Sequence, residues 1–218
     1  MSKYLCLTFD DGPNNVPGDN TMNDMLDILE KYNIPASFFL IGNKITEENK
    51  KIILRAVELG CDIQNHSWTH GFMAQMTPEQ IKEEYKKCDD AITEITGVRP
   101  AFFRPPYINI SEAMYQNIKV PFICGRGCND WEQDKDADYR YNVMKEMTDN
   151  GVLYLLHVME ENKATLEAVD RIVPELKAQG YEFVNLPDLF KKCGVDPHKE
   201  HALWSVAVNK ENQNVWQG

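Results

Sequence analysis

Basic residues are scarce in this sequence and form no extended run. The 218 residues include 23 Lys and Arg against 34 Asp and Glu, which gives a formal net charge of −11 at pH 7. A nucleic-acid partner requires a basic face that neutralises phosphates, and this composition does not supply one. The negative balance also repels anionic polymers, so a neutral or cationic substrate is easier to accept.

Long apolar runs and a recognisable leader are missing as well. No hydrophobic stretch is long enough to span a membrane, and Met1-Ser2-Lys3 leads directly into an apolar strand without a signal-peptide pattern. We therefore expect no membrane span, and either a cytoplasmic protein or a secreted one whose leader is absent from this sequence. No pattern in the chain predicts the oligomeric state.

Closely paired cysteines are also absent. Most of the cysteines fall in apolar strand or helix patterns, which indicates reduced, buried thiols and favours a reducing compartment. Cys124 and Cys128 could form half of a metal site, but no second pair completes it. A serine hydrolase lacks support too, because the chain contains no Gly-x-Ser-x-Gly turn. The six cysteines are Cys6, Cys61, Cys88, Cys124, Cys128 and Cys193.

Strand and helix patterns alternate regularly along most of the chain. This alternation is typical of an α/β fold, in which a parallel sheet is wrapped by helices. About seven strands predict a single-domain barrel, complete or incomplete. Strands are predicted over 4–7, 36–42, 61–65, 101–103, 120–124, 152–156 and 181–184, and helices over 20–33, 46–59, 77–97, 111–118, 137–149, 163–179 and 187–192.

The segment 194–218 differs from the rest. It is polar, carries Trp204 and Trp216, and has no clear period outside 202–208. We expect a domain over 1–193, followed by a C-terminal extension of unknown role that packs on the barrel or is partly disordered.

Two carboxylates lie side by side at the end of the first predicted strand. Asp10 and Asp11 precede Gly12-Pro13, which closes a turn. Since adjacent residues leaving a strand point in different directions, one carboxylate can bind a cation while the other faces water or substrate. The alternative is an ordinary Asp-Asp-Gly-Pro turn.

Two histidines at a four-residue spacing follow the third predicted strand. Alone, a pair such as His66 and His70 is more often plain surface or core than a metal site. Together with Asp11 at a neighbouring strand end, the pair gives one carboxylate and two imidazoles. That set predicts a catalytic divalent-metal site with open positions.

With these residues in this order, the sequence resembles the polysaccharide deacetylases, also called the NodB-homology domain or carbohydrate esterase family 4. Five motifs occur in the family's order, and the resemblance extends from Lys3 to about Lys192. It implies a distorted, incomplete (β/α) barrel. The motifs are Thr8-Phe9-Asp10-Asp11-Gly12-Pro13, Asn65-His66-Ser67-Trp68-Thr69-His70, Arg104-Pro105-Pro106-Tyr107, Asp130-Trp131 and Leu155-Leu156-His157.

The resemblance implies roles for five residues of the first three motifs. Asp11, His66 and His70 would bind one divalent ion; we expect zinc, with cobalt, nickel and manganese as alternatives. Asp10 would be the general base, and Arg104 would be its bidentate partner, holding it ionised and oriented.

The later motifs would complete the reaction. The backbone N–H of Tyr107 would stabilise the oxyanion. His157 would be the general acid, held protonated by the nearby charge of Asp130. Trp131 and Leu155 would wall a pocket for the acetyl methyl group, although Leu155 would be core in any buried strand.

Some positions depart from the family pattern or carry less weight. Pro106 is assigned to the substrate side, but Pro105-Pro106 could equally be a rigid turn. Gly127, Val158 and the pair Ile108-Asn109 stand where the family often has Asp, Asp and Gly. These departures leave the hydrolytic residues intact and put the shape of the substrate groove in doubt.

The sequence thus predicts a metal-dependent carbohydrate deacetylase. The stretch from Phe102 through Trp131 looks most like clostridial acetylxylan esterases, so O-acetyl groups of xylan or xylo-oligosaccharides are the expected substrate. The alternative is an N-deacetylase of chitooligosaccharide or peptidoglycan. A non-catalytic sugar-binding barrel has less support, because no metal ligand and no general base is lost.

Overall fold

Parallel strands form the centre of the protein, which is described over residues 2–208 by a computed structural model. The main sheet has the order β3-β2-β1-β6-β5, and β7 pairs with the start of β1. The remaining two strands, β4 and β8, pair with each other. The strands are β1 Lys3–Asp10, β2 Ser37–Leu40, β3 Asp62–Asn65, β4 Phe122–Ile123, β5 Arg126–Gly127, β6 Val152–His157, β7 Tyr181–Phe183 and β8 Leu203–Trp204.

Seven helices surround these strands in the described part of the chain. The longest, α3, begins with a capping box in which Thr77 and Gln80 exchange hydrogen bonds, and it ends at Gly97 in the left-handed conformation. None of the helices described here is both long and apolar enough to cross a bilayer. The helices are α1 Thr21–Tyr32, α2 Lys50–Glu58, α3 Pro78–Thr96, α4 Glu112–Asn117, α5 Ala137–Glu146, α6 Lys163–Ala178 and α7 Leu186–Cys193.

Side chains of β1 alternate between two cores. Leu5, Leu7 and Phe9 pack outward with residues of α1 and α6. Cys6 points inward, where it belongs to a second cluster with Trp204. Because side chains two apart share a face of a strand, Asp10 lies on the inward face at the carboxyl end of β1. The period-2 pattern therefore places this carboxylate inside the barrel, at the end where the strands have their carboxyl termini.

The strands close into a ring through two irregular connections. Phe103 bridges Asn65 at the end of β3 and Phe122 in β4. On the other side, β8 pairs with β4, and Val206 forms an antiparallel bridge to Val152 in β6. The barrel is thus a distorted ring, and residues beyond 193 complete its circuit.

The structure differs from the predicted elements at several places. Residues 101–103 make only a bridge, since the prolines that follow have no N–H to continue a ladder. The two-residue strand β5 was not predicted, because its polar and glycine residues give no apolar run. The helix predicted over 111–118 is shorter: α4 spans Glu112–Asn117, and the side chain of Ser111 before it makes no capping bond. The predicted helix 163–179 is present, and α6 continues through Pro174.

Candidate active site

Asp10 is the last residue of β1 and Asp11 begins the turn. Asp10 is buried at 2% exposure. Asp11 takes a left-handed backbone with φ 71°, a conformation that Asp tolerates better than most residues do. This reversal lets the two adjacent carboxylates present different edges to one cavity.

Arg104 lies directly behind Asp10 and is fully buried. Its Nη1 donates to Asp10 Oδ1 over 2.6 Å, while Nη2 donates to Thr8 Oγ1 over 2.7 Å. The guanidinium also stacks over the ring of Phe39 at 4.2 Å. The predicted partnership is present, but its second bond goes to Thr8, so the pairing with the carboxylate is not bidentate.

Side-chain hydrogen bonds shape the loop that carries the two histidines. Asn65 Oδ1 accepts from the N–H of Ser67, and Ser67 Oγ accepts from the N–H of His70. These bonds hold Ser67 and His70 at φ 69° and 57°. As a result the rings of His66 and His70 pack edge to face, with their centroids 4.8 Å apart.

The orientation of His66 is fixed from behind. Its Nδ1 lies 2.7 Å from the carbonyl oxygen of Arg104, which can only accept, so Nδ1 carries the proton. The lone pair of Nε2 then faces the carboxylates, with Asp10 Oδ2 at 3.5 Å and Asp11 Oδ1 at 3.7 Å. Burial lowers the pKa of His66 to about 3, despite the opposing charge of Asp11, and the ring is therefore neutral at pH 7.

Asp11, His66 and His70 offer a set of atoms that fits a divalent cation. Asp11 Oδ1 lies 3.7 Å from His66 Nε2 and 3.6 Å from His70 Nε2, and the three ligand atoms lie within 4.8 Å of one another. Asp11 Oδ1 is buried, yet it accepts no hydrogen bond from any described residue. A buried carboxylate oxygen without a donor is costly, and a cation would satisfy it.

His157 lies across the cavity at the end of β6, where it is the register partner of Asp10. Its Nδ1 lies 2.7 Å from Asp130 Oδ1, and its backbone N–H donates to Asp130 Oδ2 over 2.7 Å. Burial lowers the pKa of His157, but the charges of Asp130, Asp10 and Asp11 outweigh it and raise the pKa to about 9. The imidazole is therefore protonated at neutral pH.

A cavity of about 400 Å³ joins these groups. Its rim carries the half-exposed rings of Tyr107 and Trp131. Tyr107 packs against His70 and stacks on Phe72, and Trp131 meets His157 edge-on. The lining residues are Asp10, Asp11, His66, His70, Pro105, Tyr107, Ile108, Trp131, Leu155, His157 and Met159.

Most of the residues singled out in the sequence meet at this cavity, with Arg104 and Asp130 in support behind it. Pro106 is buried and does not line the cavity within the described chain, whereas Pro105 does. Thr8, Ile108 and Met159 had no role predicted from the sequence, yet Thr8 binds Arg104 and the other two line the cavity. Thr8 could have been found, because it shares the inward face of β1 with Asp10; the other two carry no chemical signal.

The family model for polysaccharide deacetylases matches residues 1–120 of this sequence. The chain belongs to the polysaccharide deacetylase family. A bifunctional xylanase/deacetylase from Pseudobutyrivibrio xylanivorans is 42% identical over 203 residues, which is 93% of this chain and 33% of that protein. The peptidoglycan-N-acetylglucosamine deacetylase PgdA of Listeria monocytogenes is 30% identical over 192 residues, covering 87% of this chain and 39% of PgdA. This chain thus spans well under half of either relative.

Solved deacetylase structures share the fold over almost the whole chain. The Xyl-CE4 domain of a multidomain xylanase from the hindgut metagenome of Trinervitermes trinervoides has a TM-score of 0.91 and 41% identity, covering 95% of this chain and 98% of that one. A family 4 acetyl xylan esterase from Clostridium thermocellum, solved in complex with a cobalt ion, has a TM-score of 0.87 and 37% identity, covering 94% and 98%. The distorted single-domain α/β barrel predicted from the motifs is thereby confirmed.

Proposed function

We propose that this polysaccharide deacetylase is a metal-dependent esterase that removes O-acetyl groups from xylan or xylo-oligosaccharides. The observation that carries the proposal is the unsatisfied oxygen of Asp11 facing two imidazoles, with Asp10 beside them in one cavity. Net hydrolysis adds water across the acyl C–O bond. It releases acetate and leaves a free hydroxyl on the sugar.

The metal would be held by Asp11, His66 and His70. When bound, a divalent ion would act as a Lewis acid that acidifies water and polarises the acetyl carbonyl. One carboxylate and two imidazoles suit zinc, with cobalt, nickel and manganese as alternatives. The clostridial esterase structure was solved in complex with a cobalt ion, which supports a transition metal as the bound ion.

Asp10 would accept the proton of the attacking water. Oδ1 of Asp10 accepts a hydrogen bond from Arg104 over 2.6 Å. Oδ2 therefore faces the cavity near His66. Because the second guanidinium nitrogen of Arg104, Nη2, donates to Thr8, the base is fixed in one orientation. A fixed base is effective, since proton transfer depends on the distance and direction of the acceptor.

His157 would donate the proton that the leaving oxygen needs. Nδ1 is engaged by Asp130, so Nε2 is the atom free to act toward the substrate. After donation the His157 ring would be neutral, and its Nδ1–H would still donate a hydrogen bond to the carboxylate of Asp130. The backbone N–H of Tyr107 would stabilise the negative charge that forms on the carbonyl oxygen.

Leu155 and Trp131 would wall the pocket of the acetyl methyl group. Both line the cavity, and Leu155 lies two residues before His157 on the same face of β6. The exposed rings of Tyr107 and Trp131 offer apolar faces on which a sugar ring can pack. A neutral acetylated xylo-oligosaccharide also suits a protein of net charge −11.

The relatives favour xylan over the alternative substrate. The xylanase/deacetylase and the two xylan-related structures are 37–42% identical to this chain, against 30% for PgdA. An N-deacetylase of chitooligosaccharide or peptidoglycan is therefore the second candidate. Its chemistry would use the same residues on an amide.

A paired assay separates the two candidates. Acetate release is measured from acetylated xylo-oligosaccharides and from N-acetylglucosamine oligomers, with the same metal-loaded enzyme. We expect a higher kcat/KM on the xylan fragments. Faster turnover of the chitin fragments would reject the xylan assignment and favour the N-deacetylase.

A further inference from the structure

A buried guanidinium lies behind Asp130, outside the residues assigned above. Arg140 on α5 is 3% exposed, and within residues 2–208 no carboxylate oxygen forms an ion pair with it. Its nitrogens donate to the backbone carbonyls of Lys135 and Glu132 and to the side chains of Thr165 and Asn162. A buried charge surrounded only by neutral groups is costly, so compensation through those neighbours is expected.

Thr165 connects Arg140 to Asp130. Its Oγ1 accepts from Arg140 Nη1 over 2.8 Å and donates to Asp130 Oδ2 over 2.9 Å. The direction is fixed, because a guanidinium can only donate and an ionised carboxylate can only accept. The hydroxyl is therefore polarised from the cation toward the anion, in a region where both Thr165 and Asp130 are 1% exposed.

Asn162 forms a second, longer link of the same direction. Its Oδ1 accepts from Arg140 Nη1, and its Nδ2 donates to Asp130 Oδ2 over 3.4 Å and to the carbonyl oxygen of His157 over 2.9 Å. Asn162 precedes the first residue of α6, but its side chain makes no capping bond to that helix. Its polar atoms are used for this network instead.

The two links decide how the carboxylate of Asp130 is rotated. Oδ2 accepts from Thr165, from Asn162 and from the backbone N–H of His157. Among the described residues, only His157 Nδ1 forms a hydrogen bond with Oδ1, over 2.7 Å. With Oδ2 held by three donors, Oδ1 stays aligned with the imidazole.

We propose that Thr165, supported by Arg140 and Asn162, is a positioning residue for the general acid. The Arg140–Thr165–Asp130–His157 relay keeps Asp130 Oδ1 aligned with the Nδ1–H of His157, so that Nε2 is directed toward the leaving group. Thr165 does not line the cavity, and it therefore acts through Asp130. This inference rests on the proposed role of His157 as the acid.

Thr165 is the cleanest position for a test, since Arg140 also holds the loop carbonyls of Glu132 and Lys135. Thr165→Val keeps the shape and removes the donor, whereas Thr165→Ser keeps the donor and removes a methyl group. Two substrates are compared: an acetylated xylo-oligosaccharide, whose alkoxide leaving group needs a proton, and 4-nitrophenyl acetate, whose phenolate leaves without one.

On the sugar ester, we expect T165V to lower kcat by about tenfold, since a hydrogen bond to a charged group and part of the general-acid effect are lost. On 4-nitrophenyl acetate, T165V should stay within about twofold of the wild type, because that step needs no acid. T165S should stay near wild type on both. Equal losses on both substrates, equal losses in T165V and T165S, or no loss in T165V would each overturn the relay.

Proton NMR provides a readout that does not depend on turnover. The His157 Nδ1 proton, assigned by its disappearance in His157→Gln, should move in T165V and stay in place in T165S. An unmoved resonance in T165V would contradict the relay even if activity fell. A wild-type enzyme that releases no acetate from any acetylated sugar would instead reject the proposed function, and the resonance would still test the hydrogen-bond network.

Discussion

The oxygen Asp11 Oδ1 is the residue-scale feature that most clearly calls for a ligand. It is buried, accepts no hydrogen bond within the described chain and faces His66 and His70. Nearby carboxylates such as Asp10 and Asp130 have strong donors. The contrast indicates that Asp11 is arranged for a cation and not for a protein donor.

His70 tests this arrangement by substitution. We expect His70→Ala to weaken zinc affinity by roughly 10–100-fold or more, because even outer partners of a metal site are worth that much. Some turnover should remain at high zinc concentration, since Asp11 and His66 are still present. Calorimetric titration of the metal-free protein measures the affinity. The control is His198→Ala, which removes an exposed histidine of the tail; an equal loss there would contradict the assignment.

In the proposed mechanism, Asp130 sets the acid–base state of His157 and so the alkaline limb of the rate profile. The pKa of His157 is raised, so the active, protonated form persists at neutral pH and is lost as the pH rises through that pKa. A bound cation would offset the charges of Asp10 and Asp11, which leaves Asp130 as the main support. Asp130→Asn should therefore move the alkaline limb of kcat to lower pH. A limb at the same pH in both proteins would reject the pairing.

Thr165 and Arg140 show which residues a single sequence conceals. The strand-end carboxylates and histidines are predictable, because side chains at the carboxyl ends of parallel strands meet at one face. Thr8 follows from the same alternation. Thr165 and Arg140 come from two helices, and their polar groups meet Asp130 only after α5 packs on α6.

At the scale of elements, the alternation of strands and helices was predictable and the ring closure was not. Buried apolar runs predict β1, β2 and β6, whose side chains are covered on both faces. In contrast, β8 has only two residues and pairs with a strand far away in the sequence. Short strands of this kind are stabilised by tertiary contacts, so local patterns do not reveal them.

Trp204 is the anchor of that closing element. It is 1% exposed, its ring meets Phe190 edge-on, and its Nε1 donates to the carbonyl oxygen of Pro197. We propose that the folded domain includes the described residues beyond 193, up to 208. Trp216 lies outside the described residues.

Trp204→Ala tests this role in the fold. The substitution should lower the free energy of unfolding by about 3–5 kcal/mol, as expected for a large aromatic side chain removed from a core. Trp131→Ala is the matched control: its side chain is half-exposed at the cavity rim, so stability should change by less than about 1 kcal/mol. Urea denaturation measures both. A stable Trp204→Ala protein would place the segment outside the cooperative fold.

The charge of the whole molecule carries a prediction of its own. A net charge of −11 acts on a charged substrate at long range, and salt screens this effect. A neutral xylo-oligosaccharide is not attracted or repelled by this net charge at long range. We expect kcat/KM on the neutral substrate to change by less than about twofold between low and physiological ionic strength. A steep rise with salt on this neutral substrate would contradict the expectation.

The central claim concerns the whole enzyme: that hydrolysis requires one divalent ion held by Asp11, His66 and His70. The most direct measurement is acetate release from acetylated xylo-oligosaccharide by the metal-free protein, followed as zinc is added back. The account predicts negligible release without metal and a rise that saturates at one ion per chain. Full activity in the metal-free protein would contradict it.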